Sequence, residues 1–166
     1  MKTRIFTSFL IILTAFSVCA QEKTVLQETF DSFDSWFKNA HAEGVHAIIR
    51  DSNGKNCLQV KTGENQVFMM NLRRGFNITE ESVLKVVFRA QGKGSVRFVF
   101  LGKSDPVPSY HSLNMGIDAK EWEEYSFTIP LPQKKNTTFK QAGLRINVNE
   151  NSTIRLKDIK IVKLTE

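Results

Sequence analysis

The chain has 166 residues, 41% of them hydrophobic, with 23 Lys and Arg against 17 Asp and Glu. A net charge of +6 is mild, and no basic run is interleaved with aromatics, which argues against a nucleic-acid partner. The length suits a single domain with a core of its own.

Residues 1–20 read as an address. Lys2 and Arg4 precede an apolar run from Ile5 to Val18, and Val18-Cys19-Ala20 forms a small-residue cleavage pattern before Gln21. The run is short for a membrane span and no stop-transfer segment follows, so the expected product is secreted or periplasmic. The rival, a lipoprotein anchored through Cys19, meets the bulky Val18 where a small residue is usual. Residues 21–166 form the expected domain, with a net charge of about +4 once Lys2 and Arg4 are gone. Its lone Cys57 beside Leu58 and Val60 excludes an internal disulfide and reads as a small buried hydrophobe.

The domain is a series of short apolar segments divided by turns. Thr24–Phe30 comes first, then a loop around Phe33–Phe37 with Trp36 as a core plug. Gly44–Arg50 and Cys57–Lys61 flank Asp51-Ser52-Asn53-Gly54, a hairpin turn because Asn and Gly tolerate positive φ. Val67–Leu72 and a polar connection over residues 73–81 follow. Val83–Leu101 reads as a hairpin turning at Gln91–Gly94, with Leu84, Val86, Phe88, Val96, Phe98 and Phe100 on the core face. Lys103–Met115, with Pro106 and Pro108, reads as a long loop with room for a short strand at its end, and Trp122–Ile129 as a strand closed by Pro130 and Pro132. Ala142–Val148 and Thr153–Leu164 make the last pair. Many short strands with frequent turns predict an all-β sandwich or barrel.

The order of certain motifs resembles carbohydrate-binding modules with a galactose-binding-like β-sandwich, the calcium-containing xylan- and glucan-binding families. Phe30-Asp31-Ser32-Phe33 with Trp36 is similar to their opening, and Leu58-Gln59-Val60 to their "Leu-x-Val" strand. Phe88-Arg89-Ala90 matches the end of "Tyr-x-x-x-Phe-x-Ala", with Leu84 replacing the aromatic. Trp122 to Phe127 loosely matches "Trp-x-x-Tyr-x-x-x-Phe", and Ile154 to Ile161 the closing "Ile-Asp-Asp-Val" strand, with Lys157 replacing its first acid. The resemblance spans nearly all of residues 21–166 and implies a jelly roll. It also implies a structural calcium ion where first and last strands meet, for which Glu28, Asp31 and Asp158 are the matching acids; calcium wants several hard oxygens together.

Catalytic signals are absent: no Gly-x-Ser-x-Gly and no zinc spacing occurs. A glycosidase needs two carboxylates across a scissile bond, and alternation puts Glu123 and Glu124 on opposite faces. His41, His46 and His111 are scattered. Asn77, Asn136 and Asn151 begin glycosylation patterns that matter only in a eukaryotic route. The non-core sheet face is the candidate site: Arg89, Arg97 and Arg145 with Asn71 and Asn147 as planar polar readers, Met69 beside them, and Trp122 as an alternative sugar platform or packing residue. Arginine is the best bidentate partner for a carboxylate, so an anionic glycan is one expectation. Tyr110 and His111 are loop residues at the expected rim. The expected function is thus a non-catalytic module binding a polysaccharide or oligosaccharide. A protein-interaction or adhesion module of the same fold is the alternative, and a small glycan-active enzyme the third reading.

Overall fold

The computed structural model describes residues 21–75, 83–102, 109–130 and 142–165. The address segment with Cys19, the glycosylation patterns at Asn77 and Asn136, and Pro106, Pro108 and Pro132 lie outside the described residues, as do the side chains of Tyr110 and His111. Among the described residues there is no helix, hence none long and apolar enough to cross a membrane.

Nine strands are described: β1 (Gln21–Glu28), β2 (Trp36–Lys38), β3 (Val45–Arg50), β4 (Asn56–Lys61), β5 (Phe68–Leu72), β6 (Val83–Gly102), β7 (Ser109–Pro130), β8 (Ala142–Val148) and β9 (Thr153–Thr165). They pair in the order β2-β5-β8-β6-β9-β4-β3, all antiparallel, with β1 on β9 and β7 on β6.

Val83–Leu101 is not a hairpin. It is one strand, β6, whose first half pairs with β9 and whose second half pairs with β8, while β7 follows it along nearly its whole length. The short strand at the end of residues 103–115 is longer than read, since β7 begins at Ser109 and runs unbroken through Trp122 to Pro130. The strand bends around the core. Phe88 and Phe98 are ten positions apart, about 33 Å in a straight strand, yet their ring centroids are 4.9 Å apart. The sheet therefore curls into a sandwich, one layer holding β3, β4, β9, β1 and the first half of β6, the other holding β2, β5, β8 and its second half.

Glycine makes the bend. Gly92 and Gly94 have φ of 118° and 141°, where residues with side chains are strained. A Cβ on Gly92 would stand 2.1 Å from the Thr153 carbonyl oxygen, and one on Gly94 2.2 Å from Ser152 Oγ. Opposite the bend, Lys120–Trp122 of β7 bulge out against Gln91 alone, between the pairs Ala90–Glu123 and Gly92–Ala119.

Even-numbered β6 residues from Leu84 to Phe100, the two glycines apart, fill the core with Leu58, Val60, Phe68, Met70, Leu144, Ile146, Leu156 and Ile161. Tyr125 stacks on Phe88 and Phe127 tilts against Phe98, as their alternation in β7 requires. Trp36 is the expected plug, buried and stacked on Phe30. Phe30 itself takes a φ of 56°. The Asp51–Gly54 turn forms as read, with Asp51 Oδ1 accepting from the N–H groups of Asn53 and Lys55.

Candidate functional site

The non-core residues of the second layer line up in cross-strand rows. One row runs Phe37, Asn71, Arg145, Val99, Ser112; the next runs Met69, Asn147, Arg97, Asn114. Directly opposed residues of paired strands share a face. The register thus brings Arg97, Arg145, Asn71 and Asn147 together, as the alternation in β5, β6 and β8 implies. Arg145 Nε donates to Asn71 Oδ1 at 2.8 Å, so this guanidinium is held in place. Arg97 is exposed, whereas Asn71 and Val99 are buried; the face is part open and part covered. Asn147 Oδ1 is buried and accepts no hydrogen bond among the described residues.

Three contributors escaped sequence reasoning. Asn149 Nδ2 bridges Ser95 Oγ at 2.7 Å and Asn114 Oδ1 at 3.1 Å, extending the amide ladder beyond Asn147. Asn114 falls where only a short strand was read at the end of a loop, so its pairing with Arg97 went unseen. Phe37, 44% exposed at the edge, caps the first row with the Arg73 guanidinium 5.9 Å from its ring centre. Its signal was present, since it follows the buried Trp36 and must point the other way in β2.

Arg89 and Trp122 belong elsewhere. They lie on the outer side of the first layer, where Arg89 Nη2 donates to the Trp122 carbonyl at 3.2 Å. The Trp122 ring covers Lys157, whose Nζ is 4.0 Å from its centre. Lys157 is 1% exposed and pairs with Asp51 from the β3–β4 turn. Hydrogen bonding to Lys157 holds the Asp51 carboxyl below the usual carboxylate range, against the opposing effect of burial. Trp122 thus packs over a buried ion pair, the alternative to a sugar platform.

The acids matched to calcium are not gathered into a donor set. Glu28 Oε1 accepts from Phe30 N at 2.5 Å and Oε2 from Trp36 Nε1 at 2.6 Å, so N–H groups meet both oxygens. Asp31 accepts from Thr29 Oγ1 and Asn56 Nδ2 at the surface. Asp158 marks an irregularity in β9, with φ of 51°. Among the described residues no group of three or more His, Cys, Asp or Glu converges for a metal ion, and these three do not fit a calcium site as they stand.

At the seam between the β2–β5 edge and β3, an aromatic cleft of about 540 Å³ opens between Phe33, Phe37 and His46. His46 lies edge-on to Phe33 and tilted on Phe68. Its pKa is lowered by burial and then by Lys38. Cys57 is fully buried, and burial pushes its thiol up, away from nucleophilic use.

No protein-family model matches the chain, and no curated protein matches it. Solved structures do. The chain is similar to the N-terminal CBM22-1–GH10 modules of Clostridium thermocellum endo-1,4-β-D-xylanase 10B complexed with xylohexaose, with 16% identity and a TM-score of 0.63 over 84% of this chain and 28% of that one. It is also similar to the CBM22-1 xylan-binding domain of Paenibacillus barcinonensis Xyn10C, with 10% identity and a TM-score of 0.60 over 89% of this chain and 99% of that domain. The family 11 carbohydrate-binding module from Clostridium thermocellum in complex with a β-1,3-1,4-mixed-linked tetrasaccharide matches at 15% identity and a TM-score of 0.53, over 86% and 96% of the two chains. The chain has the β-sandwich jelly-roll fold of these carbohydrate-binding modules.

Proposed function

We propose that the chain is a non-catalytic carbohydrate-binding module, secreted or periplasmic, that holds a glycan across the outer face of its second layer. The observation that carries this reading is the pair of cross-strand rows, which sets three amides, joined by Asn149, and two guanidiniums beside the apolar Met69 and the aromatic Phe37. Planar polar side chains suit sugar hydroxyls, and an apolar or aromatic surface suits the C–H face of a pyranose. The strands hold these groups rigidly, which lowers the ordering cost of binding. Support comes from neighbours of the same fold whose structures contain xylohexaose or a mixed-linked tetrasaccharide. On this face an acidic substituent would meet Arg97, because Arg145 is already held by Asn71.

Affinity electrophoresis through xylan, mixed-linkage β-glucan and a uronic-acid polysaccharide tests the reading. Retardation on at least one is expected, reduced about tenfold or more in affinity by Arg97→Ala or Phe37→Ala. No retardation on any of them would favour a protein partner instead. Retardation unchanged by both substitutions would move the glycan off this face.

A further inference from the structure

The outer side of the first layer carries a second depression, of about 400 Å³, at the bend of β6. Four strands line it: Gln59 from β4, Arg155 from β9, Gln91 and Lys93 from β6, and Asp118 and Lys120 from β7. Gln59, Arg155 and Gln91 form one cross-strand row, while Thr153, Lys93 and Asp118 form the next. Gly92 and Ala119 lie between the two rows and form the floor, with the Ala119 side chain turned to the core. Gln91 Nε2 donates to the Lys120 carbonyl at 2.7 Å, which fixes that amide with its oxygen free to accept.

Charge makes this bowl different from the face of the second layer. Three cations line it against one carboxylate, Asp118. Among the described residues none of Lys93, Lys120 and Arg155 is in an ion pair. Uncompensated cations around a concave, partly apolar site concentrate positive potential there. A half-buried guanidinium flanked by two amides offers a fork for a carboxylate with hydrogen-bonding groups for adjacent hydroxyls.

We propose that this bowl is a second binding site, for the carboxylate of an acidic saccharide such as a uronic acid residue. Arg155 takes the carboxylate, Lys93 and Lys120 add charge at the rim, and Gln59 and Gln91 read hydroxyls. The site is independent of the second-layer face and does not require that face to bind a glycan.

Calorimetric titration of the protein with a uronic-acid trisaccharide, its methyl ester and inorganic phosphate tests this. The acid is expected to bind and the ester to bind at least about tenfold more weakly, as is usual when a charge-assisted contact is lost. Raising the salt concentration should weaken the acid but not the ester. Arg155→Ala should lower affinity for the acid by at least about tenfold. Lys93→Ala, at an exposed position, carries the same test without risk to the fold. Lys23→Ala, which removes an exposed cation on β1 that belongs to neither face, should leave acid binding unchanged. Equal affinity for acid and ester, no binding of the acid, or loss in Arg97→Ala but not in Arg155→Ala or Lys93→Ala would overturn the proposal. Phosphate competing as well as the acid would overturn the saccharide assignment in favour of a simple anion site.

Discussion

Replacing Gly92 by Ala tests the bend of β6 directly. The new Cβ would lie 2.1 Å from the Thr153 carbonyl oxygen and 3.1 Å from Ile154 Cα, both backbone atoms that no rotamer change can move. Relieving the first contact to an ordinary separation requires β6 and β9 to part by about 1 Å, an overpacking cost of about 1–3 kcal/mol. The φ of 118° adds about 1–3 kcal/mol for a residue with a side chain, and the smaller unfolded-state entropy of Ala returns about 0.4–1 kcal/mol. The net loss is about 2–5 kcal/mol, a large part of the roughly 5–15 kcal/mol typical of a domain. Gly116→Ala is the control. Its Cβ would meet nothing within 4 Å, and its φ is ordinary, so its effect should stay within about 0.5 kcal/mol. Urea unfolding followed by tryptophan fluorescence measures both, and with m of roughly 1–3 kcal/mol/M the Gly92→Ala midpoint should fall by about 1 M or more. Equal midpoints for the two variants would refute the packed bend.

Two further outcomes follow from buried polar groups. Glu28→Gln turns one of two acceptor oxygens into a donor facing Phe30 N or Trp36 Nε1, and should cost about 1–3 kcal/mol in thermal or chemical unfolding. Because N–H groups occupy that carboxylate, calcium and EDTA should give the same melting midpoint; a rise of several degrees in calcium that Glu28→Gln abolishes would show that Glu28 is recruited by metal. Asp51→Asn leaves the Lys157 ammonium buried without its counter-charge and Lys157→Met leaves the equally buried Asp51 carboxylate, so the double replacement should destabilise less than either alone. The sign with pH is fixed. Asp51 has a lower pKa folded than unfolded, so its contribution is complete above about pH 4 and is lost as pH falls through the folded value. Acid unfolding between pH 5 and 2 should therefore be shallower in Asp51→Asn, and equal slopes would count against the pair.

The core was legible because burial follows alternation. Leu84, Val86, Phe88, Val96, Phe98 and Phe100 were placed inward by period two, and all are buried. The hairpin at Gln91–Gly94 was the principal misreading, and the residues contained its refutation. A two- or four-residue turn there would set Phe88 opposite Arg97, on one face, whereas alternation demands opposite faces. Glycines in such a position mark close backbone approach as readily as reversal. The site was half legible. Arg97, Arg145, Asn71 and Asn147 share a face because their strands are regular. Arg89 and Trp122 were lost from it because β6 crosses from one layer to the other between Arg89 and Arg97, which alternation within one strand cannot reveal. Lys157 and Asp51 lie 106 residues apart, with no local pattern to pair them.

A strand that serves both layers also governs how the molecule comes apart. Neither layer can open while the other stays closed, because β6 supplies the hydrogen-bonding neighbours of β9 in one and of β8 in the other. Sub-global opening is confined to peripheral pieces such as β2 and the β3 edge, and the two walls of the sandwich form one cooperative unit. Backbone amides on either side of the bend, near Phe88 and near Phe98, should exchange with solvent at the same slow rate. The two proposed faces thereby rest on a common frame whose rigidity neither can lose alone.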